Sequence, residues 1–136
     1  ESAKEFARRR KNSMGQLDQF RETLATYRKS GWRLARVLMR PGALAELREA
    51  TGDADFEGVA TGESAVDAMW FVRAGQGGRE AWELRLVAEA PYALLEIFEP
   101  DEAEEDREDV RREMEAKMQE RVDGRMSGLV QEGLVH

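Results

Sequence analysis

Apolar side chains at Met14, Leu17, Phe20, Leu24 and Tyr27 fall at steps of three and four, the spacing of one helix face. The pattern predicts an amphipathic helix over about 14–29, opened by the capping pair Ser13/Gln16 and closed at Ser30-Gly31. Ahead of it, Ser2 with Glu5 offers another capping box, followed by Phe6 and the basic run Arg8-Arg9-Arg10-Lys11, and Asn12 to Gly15 interrupt the two stretches.

Trp32 to Arg40 is a short run of bulky residues between Gly31 and Pro41-Gly42, which reads as a strand. Ala43 to Ala50 is built of strong helix formers, with Gly52 placed to close a short helix. Residues 53–64 alternate poorly and read as loop, with a short strand near Phe56 to Ala60. Ala65 to Arg73 and Ala81 to Glu89 form a hairpin around the glycine-rich tip 74–78; in the second strand Trp82, Leu84, Leu86 and Ala88 alternate with polar residues. Tyr92 to Glu99 adds a third antiparallel strand, although a short apolar run of this kind also fits a helix.

From Pro100-Asp101 to Val122, ahead of Gly124, good helix formers follow a start crowded with acids, as the positive helix N-terminus favours. Its stripe of Val110, Met114, Met118 and Val122 steps by four residues and so drifts about 40° per step, which suits oblique packing on a surface. Gly128 and Gly133 weaken any helix in the tail. The expected fold class is α+β: a small antiparallel sheet, a β-meander of three to four strands, packed with an N-terminal amphipathic helix, a short helix after the first strand and a long acidic C-terminal helix. At 136 residues one domain is expected, with a basic arm over 1–13, a core over 14–100 and a C-terminal helix and tail over 101–136.

Charge changes this picture more than composition does. Residues 1–40 hold eleven Lys/Arg against four Asp/Glu, net +7, whereas residues 41–136 hold ten against 24, net −14. Absence of cysteine removes disulfides, thiolate nucleophiles and cysteine-held metal centres. The only histidine is the last residue, His136, so a triad on an internal histidine and a two-histidine metal site are excluded within one chain. No apolar run approaches the roughly 20 residues of a membrane span. The expectation is a cytoplasmic protein without cofactor, catalytic residue or membrane contact.

Asp53, Asp55 and Glu57, with Gly58, match the first half of an EF-hand loop, but Ser64 stands where a bidentate Glu belongs. A polar turn is the competing reading, and a weak cation site stays a candidate. Glycines 75, 77 and 78 lack the strand-to-helix context of a phosphate loop. Arg8, Arg9, Arg10 and Lys11, with Arg28, Lys29, Arg33, Arg36 and Arg40, offer either an anion-binding surface or a partner for acidic helix surface. Met114 and Met118 suit an adaptable partner groove as well as an ordinary core. Val37-Leu38-Met39-Arg40-Pro41 running into Ala43 to Arg48 resembles the strand-proline-helix passage of many phage-encoded virion proteins.

These features lead to a non-enzymatic protein-interaction or assembly domain. It would self-associate through its terminal helices, with Arg8 to Lys11 facing acids near Glu102 to Asp109 and Met114 and Met118 supplying apolar interface. The alternative is a nucleic-acid-associated or virion structural protein that uses the basic N-terminal segment.

Overall fold

The computed structural model describes the backbone of residues 3–50 and 54–135, with side chains over 16–50 and 54–124. Its elements run α1 (Ala3–Lys29), β1 (Arg33–Met39), α2 (Pro41–Glu49), a 3-10 turn (Ala54–Phe56), β2 (Ala60–Glu63), β3 (Ala68–Ala74), a second 3-10 turn (Gln76–Gly78), β4 (Glu80–Leu86), β5 (Ala93–Phe98) and α3 (Glu104–Val135). The five strands form one sheet in the order β2-β1-β3-β4-β5. The α+β class stands, with five strands rather than three to four. β3, β4 and β5 make the expected meander, and β1 lies antiparallel to β3. The sheet is mixed rather than purely antiparallel, because β2 pairs with β1 in parallel after the α2 crossover.

Helices cover both faces. On one face Leu17, Phe20 and Leu24 of α1 and Ala43 and Leu44 of α2 pack on Leu34, Val37, Met39, Met69 and Phe71. On the other, Val110, Met114, Met118 and Val122 of α3 pack on Ala68, Trp70, Trp82, Leu84, Leu86 and Leu94. The drifting stripe is therefore a core contact. β3, at the centre of the sheet, is closed on both sides from Ala68 to Val72.

Local chemistry explains the element boundaries. Gly31 has φ of 86° and closes α1 with the two bonds of a Schellman motif, Trp32 N–H to Tyr27 O and Gly31 N–H to Arg28 O. The apolar contact that accompanies this motif is the edge-on packing of Trp32 on Tyr27, 6.0 Å between rings. Asn12 to Gly15 do not interrupt the helix, whose backbone is continuous from Ala3. One interior glycine costs about 1 kcal/mol, less than the stripe from Leu17 to Leu24 gains on the sheet. The boundary between arm and core drawn at 13/14 thus falls inside α1. Arg40 precedes α2, and Pro41 occupies the first helical position, where no N–H is needed. Gly52 and Asp53 lie outside the described residues. α3 starts at Glu104, after a turn over 100–103 in which the Glu102 side chain accepts the Glu99 N–H, and Gly124 does not end it.

In β1 the register shifts between Leu34 and Arg36, so Ala35 bulges from the ladder with β3. Leu34 opposite Phe71 and Val37 opposite Met69 share the α1 face although they are three apart. The same shift places Arg36, opposite Trp70, on the α3 face.

Candidate functional site

Two charged clusters hold the layers together. Arg111 of α3 is 2% exposed, lies 4.0 Å over the Trp82 ring and 5.3 Å from that of Phe98, and pairs with Glu104 at 2.5 Å and Glu108 at 3.2 Å. Glu108 also accepts from Arg36 at 2.8 Å. That hydrogen bond, aided by Arg111 and opposed by burial, holds the Glu108 carboxyl below its ordinary value. Trp70 Nε1 donates to Glu115 at 2.8 Å. In the second cluster, buried Asp67 accepts from Arg40 N at 2.7 Å and Arg40 Nε at 3.0 Å, pinning the turn from β1 into α2. These arrangements orient helices on the sheet, and each has a structural role that accounts for it.

Of the basic residues singled out from the sequence, three of those described are engaged by carboxylates within the chain, while Lys29 and Arg33 are exposed. Arg28 pairs with Asp55 at 3.6 Å, Arg36 with Glu108, and Arg40 with Asp67. Arg8, Arg9, Arg10 and Lys11 belong to α1, and their side chains lie outside the described residues. Several acids meant to face them are engaged within the chain: Glu104 and Glu108 by arginines, Glu102 by the Glu99 amide, and Asp109 by Arg112 at 3.7 Å. Met114 and Met118 are 6% and 0% exposed inside the α3 core, the ordinary packing role, and present no surface. Asp55 sits in the 3-10 turn toward Arg28, Phe56 beside it is buried in the core, and Glu57 is exposed. Residues 60–63, where an EF-hand loop would continue, are β2. Among the described residues no group of three acids or histidines is arranged to hold a metal.

The surface that the fold leaves open is β5. It ends the sheet order, and no described strand pairs with its outer edge. Leu86 N–H donates to Tyr92 O, and the register runs Leu84 to Leu94, Trp82 to Glu96 and Glu80 to Phe98. By antiparallel alternation, the even residues of β5 bond to β4, while Ala93, Leu95 and Ile97 turn their N–H and C=O groups outward.

Their side chains share the α1 face of the sheet, since Leu95 continues the row Phe71–Glu83 and Ala93 the row Met69–Arg85. The described apolar cluster under α1 includes neither Leu95 nor Ile97. Tyr27 of α1 reaches the sheet beside them, stacked on Phe71 with rings 4.0 Å apart and 5° from parallel, and its hydroxyl donates to Glu83 of β4. Burial first, and the Glu83 hydrogen bond second, push the Tyr27 phenol well above its ordinary value. Between α1 and β4 lies a groove of about 350 Å³ lined by Gln19, Thr23, Tyr27, Arg85 and Val87. Beyond it Leu95 is 56% and Ile97 46% exposed, the large apolar side chains that stand open among the described residues.

An open edge beside an open apolar face is the template on which an extended chain adds as a further strand. Edges that must stay free are usually short, bulged, or protected by lysine or proline. β5 has six residues, no register shift and one charge, Glu96, which shares the α3 face with Trp82; its prolines, Pro91 and Pro100, lie outside it. The opposite edge, β2, has four exposed residues and no bulky apolar side chain. The strand itself was predicted from the sequence; its bareness depends on where α1 lies, which no local pattern encodes. No helix among the described residues is long and apolar enough to cross a membrane. In comparisons with protein-family models, curated proteins and solved structures, nothing matched the chain, so its function is read from this geometry alone.

Proposed function

We propose that the chain is a non-enzymatic protein-interaction domain whose contact surface is β5. One observation carries the reading: the outward main-chain groups of Ala93, Leu95 and Ile97 coincide with the exposed Leu95 and Ile97 side chains. Main-chain bonds along such an edge supply affinity, and the alternate side chains supply selectivity. The interface moves from the terminal helices, where the sequence placed it, to the sheet edge, because the described apolar stripes of both helices are used in the core. Nucleic acid is the less supported partner, since Arg28, Arg36 and Arg40 each have a carboxylate.

The test pans a phage-displayed random peptide library against the full chain. Enriched peptides should alternate apolar and polar residues, and Leu95→Lys or Ile97→Lys should weaken them about tenfold or more with an unchanged circular dichroism spectrum. A chain that enriches no such peptide and does not self-associate would sink the reading.

A further inference from the structure

We infer that the occupant of this edge is β5 of a second copy of the chain, paired antiparallel about a two-fold axis at Leu95. The inference rests on the proposed interaction edge and adds its partner and register.

The register follows from the strand itself. Antiparallel self-pairing sets residues opposite one another with a constant sum of positions, and only an even sum keeps the two apolar faces on the same side. The outward groups of Ala93, Leu95 and Ile97 must meet one another, because the even residues are committed to β4. Centring on Glu96 would set two carboxylates directly opposite, which is destabilising. Centring on Leu95 instead pairs Ala93 with Ile97, Leu94 with Glu96 and Tyr92 with Phe98 of the second copy. Both Glu96 side chains then face leucine, the whole strand is used, and the Ala93, Leu95 and Ile97 patches of the two copies merge into one apolar strip. Joining β5 to itself makes one continuous sheet and removes the open edge, the self-complementary contact of a two-fold dimer.

Charge is complementary in the same arrangement. The Phe98 end of β5 adjoins the acidic start of α3, where Asp101 and Asp106 are exposed, whereas Glu105 lies on the opposite flank with Arg36 and Arg112. At the Tyr92 end, Arg121 of α3 lies 4.7 Å over the tyrosine ring, and exposed Lys117 is one turn before it. Gln119 and Asp123 line the other flank of the helix, beside Arg40 and Val66. The two-fold axis lays the Phe98 end of one copy beside the Tyr92 end of the other. The flank of α3 that borders β5 thus runs from Asp106 through exposed Glu113 to Lys117 and Arg121, and in this arrangement Asp101 and Asp106 of one copy lie toward Lys117 and Arg121 of the other at each end of the paired strands.

The absence of cysteine makes the register directly readable. In a hydrogen-bonded antiparallel pair the Cα atoms are about 5.5 Å apart, inside the range a disulfide spans. Under mild oxidation of the full chain, Leu95→Cys should cross-link into a covalent dimer. Ile97→Cys should not, because its counterpart lies four residues along the strand, roughly 13 Å away, whereas the double variant Ala93→Cys/Ile97→Cys should. Light scattering of the unmodified chain should show a mass rising from 15.4 kDa toward twice that value as concentration increases across the micromolar range, and Leu95→Lys should hold it at the monomer.

A dimer whose Leu95→Cys form fails to cross-link while Ile97→Cys does would overturn the register. A monomer at every concentration that still enriches β5-dependent peptides would overturn the second copy as occupant and leave the interaction edge standing. A monomer that enriches none removes both.

Discussion

Replacing Arg111 separates packing from charge in the α3 core. The side chain is 2% exposed, so Arg111→Ala removes a desolvated guanidinium stacked on Trp82, about 2 kcal/mol, and the two methylenes beyond Cβ at about 0.8 kcal/mol per group. The ion pairs add little, because Glu104 is 69% exposed and rehydrates, while Glu108 keeps Arg36. Against these losses, Arg111 Nε is buried without a partner, and deleting it recovers about 1 kcal/mol. The net expectation is a loss of about 3 kcal/mol. Arg111→Met keeps the stem, sets sulfur against the Trp82 ring for about 1 kcal/mol, and also removes the unpartnered donor, so it should lie within about 1 kcal/mol of the parent, as buried ion networks replaced by apolar side chains often do. Urea unfolding followed by tryptophan fluorescence, with equal slopes as the check on two-state behaviour, measures both. Equal losses for Met and Ala would refute the argument and make the charge the dominant contribution.

Two predictions concern pH. Tyr27 has a folded-state pKa raised above its ordinary value of 10.0, so its contribution is complete below pH 10 and is lost as pH rises through the folded value. Tyr27→Phe should cost about 1 kcal/mol at neutral pH and lose this alkaline decline, and a decline of equal size in both proteins would show that Tyr27 is not its source. Glu108 has its pKa lowered below the ordinary 4.5, so its contribution is complete above that pH and is lost as pH falls through the folded value. Glu108→Gln should flatten the acid limb of a stability-against-pH curve, measured by urea midpoints, and an unchanged limb would assign it to other carboxylates.

Most of the fold is legible because strands and helices here follow their own periods. The alternation from Trp82 to Leu86 and the Met-bearing stripe of α3 mark elements found within a few residues of their positions. β2 is misplaced in the sequence reading: the short strand expected near Phe56 to Ala60 is a 3-10 turn ending at Phe56, and β2 runs instead over Ala60–Glu63, which buries nothing and is held by parallel main-chain pairing to β1, leaving no apolar signature. The bulge at Ala35 is not legible, since the residues near it read as a strand in either register; Arg36 looks misplaced in a core strand until its pairing with Glu108 is seen. Arg111 carried a usable signal. It falls on the same three-and-four spacing as Met114, Met118 and Val122, so a cation in the apolar stripe of a helix facing Trp82 and Phe98 was there to be read.

The order of strands also bears on how the chain comes together. β3, β4 and β5 are joined by short turns, so the meander draws on neighbours in sequence, whereas β1 reaches β3 only across α2 and β2. Contacts that are local in sequence form early and distant ones late. α3 follows β5 in the chain, so during synthesis the meander stands with its α3 face uncovered until α3 emerges. Glu96 is then a lone charge in an otherwise sticky strand, placed where a gatekeeper residue restrains premature stacking. The same side chain that sets the register in the proposed self-pairing guards the nascent strand.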